Sequence, residues 1–123
     1  MNLTRESFFQ RAEVPTETIN LPQLGGSVLV RGMTAKERSA FEDQFTLRSG
    51  KPNAKARLEM RERLLIATVC DMEGQPLFTR EDVAAIGRLP AVTVEPLVDS
   101  AQRVCGMTAT QDLGKNSDDD QTD

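Results

Sequence analysis

The sequence predicts a mainly α-helical α+β fold: a small cluster of four to five helices with one N-terminal β-hairpin and a disordered acidic C-terminal tail. Apolar residues recur at helical spacing through most of the chain, and two short runs alternate apolar and polar residues around a Pro–Gly turn. A length of 123 residues suits one domain with a modest core. We therefore expect a single globular domain over residues 1–107 and a polar tail over 108–123.

The first predicted element is a short helix over residues 3–12. Thr4 is its expected N-cap, and Ser7 occupies the position where a glutamate would complete a capping box. Phe8 and Phe9 are its only large apolar anchors, and little else in this segment can bury them. We therefore predict, as candidate partner-binding residues, Phe8 and Phe9.

A β-hairpin is predicted over about 17–32. Its two alternating runs, 17–21 and 27–31, flank a turn region that contains Pro22 and Gly25–Gly26. An isolated hairpin is only marginally stable in water. The hairpin is therefore expected to lie against the helices.

The next helix is predicted over about 34–47. Thr34 and Glu37 have the spacing of a full capping box, in which each side chain accepts a hydrogen bond from the other residue's backbone amide. Phe41 and Phe45 follow one turn apart, so they are expected to stack on the buried face.

The strongest helical pattern predicts one continuous helix over about 54–70. Leu58, Leu65 and Val69 form one apolar stripe along it. The stripe is widened by Leu64, Ile66 and Ala67. An apolar face of this width is typical of a central helix that contacts several neighbours.

Two further helices are predicted over about 80–86 and 93–105. Thr79 caps the first of them. The second is expected to begin near residue 93, because Pro96 then lies in the first turn, where its missing amide costs no helical hydrogen bond. Gly106 is expected to end it.

The charge distribution argues against a nucleic-acid partner. The whole net charge of −4 comes from residues 111–123, while residues 1–110 balance fourteen basic against fourteen acidic side chains. A neutral body with an acidic tail has no basic face to release counterions from phosphate.

Catalytic chemistry is also poorly supported, so we expect a non-enzymatic protein without cofactor or metal. The chain has no histidine and no CxxC pair, which removes the commonest general base and the usual zinc ligands. The paired carboxylates Glu42–Asp43 and Glu81–Asp82 are typical of solvated helix faces. Cys70 and Cys105 are expected to be a reduced pair in helical, apolar surroundings.

Neither a membrane span nor a secretory signal is predicted. No apolar run approaches the ~20 residues that a bilayer requires. The first fifteen residues lack a basic start followed by an apolar stretch. We therefore expect a cytoplasmic location and no membrane partner.

Five blocks of the sequence, taken in order, resemble one protein family. They are LTRESFF, PTETINLPQLGGSVLVRGMTAKERSAFE, RLLIATVCDMEGQPLFTREDVAAIGRLP, VDSAQRVCGMT and DLGKNS. The family is that of the tail assembly chaperones of long-tailed bacteriophages and prophages, which are encoded just before the tape measure protein. The resemblance covers nearly the whole chain, and its specificity comes from the order and spacing of the blocks.

The resemblance implies a non-enzymatic helper in the cytoplasm of a bacterial host, absent from the mature virion. It implies that the tape measure protein is a partner and that tail tube protein is recruited through a longer, frameshifted product. The frameshift would take place on the codons of Leu113, Gly114, Lys115 and Asn116. A homo-oligomer is compatible with this role.

Two other functions remain open at this point. One is a minor structural or head-tail completion protein that stays in the virion. The other is a small helical regulatory protein, against which the neutral body argues because DNA binding requires basic surface.

Overall fold

The structure, a computed structural model, describes residues 2–107 and contains six α-helices and three β-strands in that part of the chain. The tail predicted over 108–123, its expected disorder and the residues of the frameshift codons lie outside the described residues. In chain order the elements are α1 (Arg5–Arg11), β1 (Thr16–Leu21), β2 (Gly26–Arg31), α2 (Ala35–Asp43), α3 (Ala54–Leu58), α4 (Met60–Thr68), β3 (Val69–Cys70), α5 (Val83–Gly87) and α6 (Ala91–Val104). The predicted fold class, mainly helical with an N-terminal hairpin, is confirmed.

The hairpin of β1 and β2 is antiparallel, with pairing that runs from Thr16 opposite Arg31 to Leu21 opposite Gly26. A single 3-10 turn, Pro22–Leu24, joins the strands. Gly25 follows with φ +76°, a left-handed conformation that glycine adopts without a steric penalty. Alternation places one apolar face of the hairpin toward the core.

Residues 54–70 do not form the single helix that their apolar stripe predicts. The helix is interrupted at Glu59 between α3 and α4, and Val69–Cys70 leave helical geometry to pair with β2 as a third antiparallel strand. This strand forms because Val30 and Val69, opposite each other, are both buried and a β-branched side chain packs well there. As a further consequence, Leu58 is 86% exposed and does not belong to the core stripe.

The core lies between the sheet and the helices α4 and α6. Helix α6 packs across both strands of the hairpin and against α4. Its buried face and the facing elements form one apolar cluster, whose members include Leu21, Val30, Phe41, Phe45, Leu64, Leu65, Val69, Ile86, Leu97, Val98, Ala101 and Val104. The first helix contributes no buried residue to this cluster.

Helix α6 begins two residues before the predicted start, so Pro96 lies inside the helix and not in its first turn. The missing amide of Pro96 therefore removes one internal hydrogen bond. At the other end, the prediction for Gly106 is confirmed. Gly106 has φ +67°, and the amides of Gly106 and Met107 donate to the carbonyl oxygens of Arg103 and Gln102 at 3.2 and 2.8 Å, which completes a Schellman motif.

The predicted capping box of α2 is present. The Glu37 amide donates to Thr34 Oγ1 at 3.1 Å, and the Thr34 amide donates to Glu37 Oε1 at 2.9 Å. The rings of Phe41 and Phe45 are buried and meet edge to face, with centroids 5.0 Å apart. Helix α2 ends at Asp43, so Phe45 follows it in a turn and not in a longer helix.

Candidate partner-binding surface

Helix α1 is held by local hydrogen bonds and not by packing. The Ser7 amide donates to Thr4 Oγ1 at 3.1 Å, and the Thr4 amide donates to Ser7 Oγ at 2.9 Å, so serine completes the box that usually requires glutamate. None of its seven residues is buried. Because isolated helices shorter than ~12 residues are marginal in water, α1 would be stabilised by a partner that covers its apolar side chains.

Phe8 and Phe9 are both exposed on this helix, at 54% and 68% of their surface. Their rings meet edge to face with centroids 6.1 Å apart, and the guanidinium of Arg5 lies 5.3 Å from the centre of the Phe9 ring. Leu3, just before the helix, is also exposed. The result is a small apolar surface with a cation at its edge.

An ionic cluster that the sequence does not reveal joins β1 to α6. Arg103 Nε and Nη2 donate to the two carboxylate oxygens of Glu17 at 3.0 and 2.8 Å, and Ser100 Oγ donates to Glu17 Oε1 at 2.8 Å. The hydrogen bonds from Arg103, and then from Ser100, lower the pKa of Glu17 from 4.5 to about 2. This carboxylate therefore stays ionised near neutral pH, and its hydrogen bonds join the hairpin to α6. A carboxylate with so low a pKa is poorly suited to proton transfer near neutral pH.

The lowered pKa predicts a pH dependence of stability. In the unfolded chain the Glu17 carboxyl protonates near pH 4.5, whereas in the folded protein it keeps its charge to about pH 2. Its stabilising contribution is therefore complete above pH 4.5 and is lost as the pH falls from 4.5 towards 2. We expect the stability difference between the wild type and Glu17→Gln to shrink over this interval, as measured by urea unfolding.

A matched control for this prediction is Glu13→Gln, which removes an exposed carboxylate that makes no ion pair within residues 2–107. Its stability difference from the wild type should remain small at each pH. A difference for Glu17→Gln that is as large at pH 3 as at pH 7 would contradict the assignment.

An open groove of about 870 Å³ lies beside the C-terminal end of α2. Its walls come from the turn after α2, from α3 and α4, and from the start of α5. In its lining, Arg63 donates to Glu59 Oε1 at 2.9 Å and to Gln44 Oε1 at 2.8 Å, so these polar groups are already satisfied. The groove is open and its lining mixes charged and apolar side chains, unlike the largely apolar sites that enclose small molecules.

The thiols offer no reactive centre. Cys70 and Cys105 are free, and burial raises the pKa of both, so they are protonated near neutral pH. Within residues 2–107, no three histidine, cysteine, aspartate or glutamate side chains come close enough together to hold a metal ion. No helix in the same range combines the length and apolar character that crossing a bilayer requires.

Fold and surface together define a small α+β domain that carries an unburied helix with two exposed phenylalanines and a neutral, ion-paired body. No protein-family model matches the chain, and no curated protein matches it. Among solved structures it is similar to the tail assembly chaperone of bacteriophage HK97, with 18% identity and a TM-score of 0.49 over 77% of this chain and 95% of that chain.

Proposed function

We propose that this chain is a tail assembly chaperone of a long-tailed bacteriophage or prophage. In this role it binds the tape measure protein, keeps it soluble and helps to recruit tail tube subunits during tail morphogenesis. The observation that carries the proposal is the ordered series of sequence blocks that resembles this family along nearly the whole chain. Parts of two of these blocks coincide with structural junctions: GGSVLVRGMTAKERSAFE spans β2 and α2, and AQRVCGM ends α6 at its Schellman motif.

The exposed helix α1 gives this role a physical basis. A long amphipathic helix without its final partners exposes an apolar stripe that favours aggregation. Exposed apolar side chains on a soluble domain can cover such a stripe, in the manner of helix recognition by grooves and helix faces. Phe8 and Phe9 are the large apolar side chains that α1 presents for this contact.

The proposal includes a non-enzymatic role in the host cytoplasm and absence from the mature virion. It also includes a longer frameshifted product, made on the codons of Leu113 to Asn116, which joins the same body to a different C-terminal part. The nucleotide sequence tests this directly. A slippery run at these codons, followed by a continuing second frame and a very long helical reading frame, would support it.

Replacing both phenylalanines by alanine is the direct test of the surface. Burying one phenylalanine side chain contributes about 1.5–3 kcal/mol, so Phe8→Ala with Phe9→Ala should weaken binding to the tape measure protein by at least tenfold. The readout is the soluble fraction of the tape measure protein on co-expression, which should fall. The chaperone's own unfolding midpoint should stay nearly constant, because neither ring is buried in the described body.

The matched control is Leu24→Ala, which removes an equally exposed apolar side chain from the hairpin turn. It should leave the tape measure protein soluble. Loss of solubility with Leu24→Ala alone, or a collapse of stability with the double variant, would reject α1 as the binding surface.

Mass spectrometry of purified particles distinguishes the chaperone from the structural alternative. A chaperone should be missing from the particles, whereas a minor tail or head-tail completion protein should be present in them. Tight, salt-sensitive DNA binding would instead favour the regulatory alternative.

A further inference from the structure

Residues 44–58, which we call the basic segment, carry four cations and no carboxylate. The cations are Arg48, Lys51, Lys55 and Arg57, and all four are exposed. This segment lies between the acidic pair that ends α2 and Glu59, so its charge is concentrated on one turn and one short helix. It borders the open groove described above.

The basic segment is held in a defined conformation by hydrogen bonds. The Leu47 amide donates to the Lys51 carbonyl oxygen at 2.7 Å, and Gly50 closes the turn with φ +92°. Asn53 Nδ2 donates to the Gln44 carbonyl oxygen at 3.0 Å and ties the end of the turn back to its start. The cations are therefore presented by an ordered scaffold, which lowers the entropic cost of binding an anionic segment.

Among the nine arginines of residues 2–107 outside the basic segment, Arg5, Arg11, Arg80 and Arg88 also form no ion pair in that range, and the other five do. Five arginines form ion pairs with carboxylates: Arg31 with Glu37, Arg38 with Glu42, Arg61 with Glu95, Arg63 with Glu59 and Arg103 with Glu17. Within residues 2–107 the basic segment forms no ion pair, and Arg57 Nε donates only to a backbone carbonyl oxygen. The segment itself therefore carries a charge of +4 with no ion pair in the described chain, although Asp43, Glu59 and Glu81 line the same groove.

The same chain contains a segment of matching charge. Residues 111–123 carry five aspartates and one lysine, a net charge of −4. They follow Met107, which is buried at the end of α6. Arg38 Nη1 donates to the Cys105 carbonyl oxygen at 3.0 Å, so the end of α6 lies against α2, and α2 leads directly into the basic segment.

The chain is long enough for residues 111–123 to reach the basic segment. From Arg38 to Asp43 helix α2 rises only about 8 Å. Sixteen residues follow Met107, and an extended chain of that length spans up to about 50 Å. A tether this short gives an effective concentration in the millimolar range, which favours contact within one chain over contact between chains.

We propose that the acidic residues 111–123 bind the basic segment of the same chain. The free protein then covers this surface with its own C-terminal residues, and a partner that uses the basic segment must carry acidic side chains able to displace them. This inference rests on charge and chain geometry and does not depend on the proposed chaperone role.

Lysine acetylation of the full chain tests the proposal, with mass spectrometry as the readout and N-hydroxysuccinimidyl acetate as the probe. At low salt, Lys51 and Lys55 should react several-fold more slowly in the wild type than in a variant with all five tail aspartates changed to asparagine. Lys36, exposed on α2, is the internal control and should react equally in both. At about 1 M NaCl, where the screening length is about 3 Å, the protection should disappear.

Two outcomes would overturn the proposal. Equal reactivity of Lys51 and Lys55 in the two proteins would show that the tail does not cover the basic segment. Protection that is lost on tenfold dilution would show that the tail of a second copy is bound instead. Since the substitutions change no residue within 2–107, circular dichroism should be unchanged in the variant. The assay contains no second protein.

Discussion

Leu65→Ala is expected to lower the free energy of unfolding by about 2–5 kcal/mol, the range for truncating a fully buried leucine. Leu65 has no exposed surface in α4 and belongs to the cluster between the sheet and α6. Its removal takes away transfer free energy and leaves a cavity that the surrounding backbone only partly fills. Urea unfolding monitored by circular dichroism should show a lower midpoint with an unchanged slope.

The matched control is Leu58→Ala, because Leu58 and Leu65 belong to the same predicted apolar stripe. Leu58 is 86% exposed at the end of α3, so its truncation should change stability by no more than about 0.5 kcal/mol. Comparable losses in the two variants would instead support the continuous helix over 54–70 and contradict the interruption at Glu59.

The strand at Val69–Cys70, where a helix is predicted, shows where sequence patterns stop being sufficient. Helical periodicity predicts one more helical turn at Val69–Cys70. A short apolar run of this kind is compatible with either a helix or a buried strand, so periodicity alone does not distinguish the two. The deciding contact is the pairing of Val69 with Val30, which is distant in sequence. A third strand covers an edge of β2 that would otherwise present unpaired backbone groups.

Local signals, by contrast, predicted local structure well. The capping box at Thr34, the glycine stop at Gly106 and the turn between β1 and β2 each depend on residues within a few positions of one another. The bond between Glu17 and Arg103 joins residues 86 positions apart, and both read in the sequence as ordinary surface charges. Neither the composition nor the spacing of residues predicts this ion pair.

The candidate surface was partly accessible from sequence. The sequence predicts Phe8 and Phe9 as partner-binding residues because their segment has little to bury them, and the structure places both rings on an unburied helix. Their role in binding a partner remains a prediction. The basic segment could have been found by counting charges, but only the structure shows that its cations lack carboxylate partners within residues 2–107.

Gly32→Ala is expected to destabilise the protein strongly, by about 3 kcal/mol, the upper end of the range for overpacking. A Cβ atom at Gly32 would lie 2.4 Å from the Val104 carbonyl oxygen and 3.4 Å from Pro15 Cδ. The oxygen belongs to the backbone of α6, so it cannot rotate away as a side chain could. The end of α6 would have to move off the end of β2, which would disturb the buried contacts of Val104.

Gly26→Ala is the control for this change, since Gly26 begins β2 and Gly32 directly follows its last residue. A Cβ atom there meets nothing within 4 Å, and its φ is not positive. This substitution should be neutral or should stabilise the protein by about 0.4–1 kcal/mol, because alanine restricts the unfolded chain. Thermal unfolding of both variants measures the contrast, and equal midpoints would contradict the close approach of α6 to the end of β2.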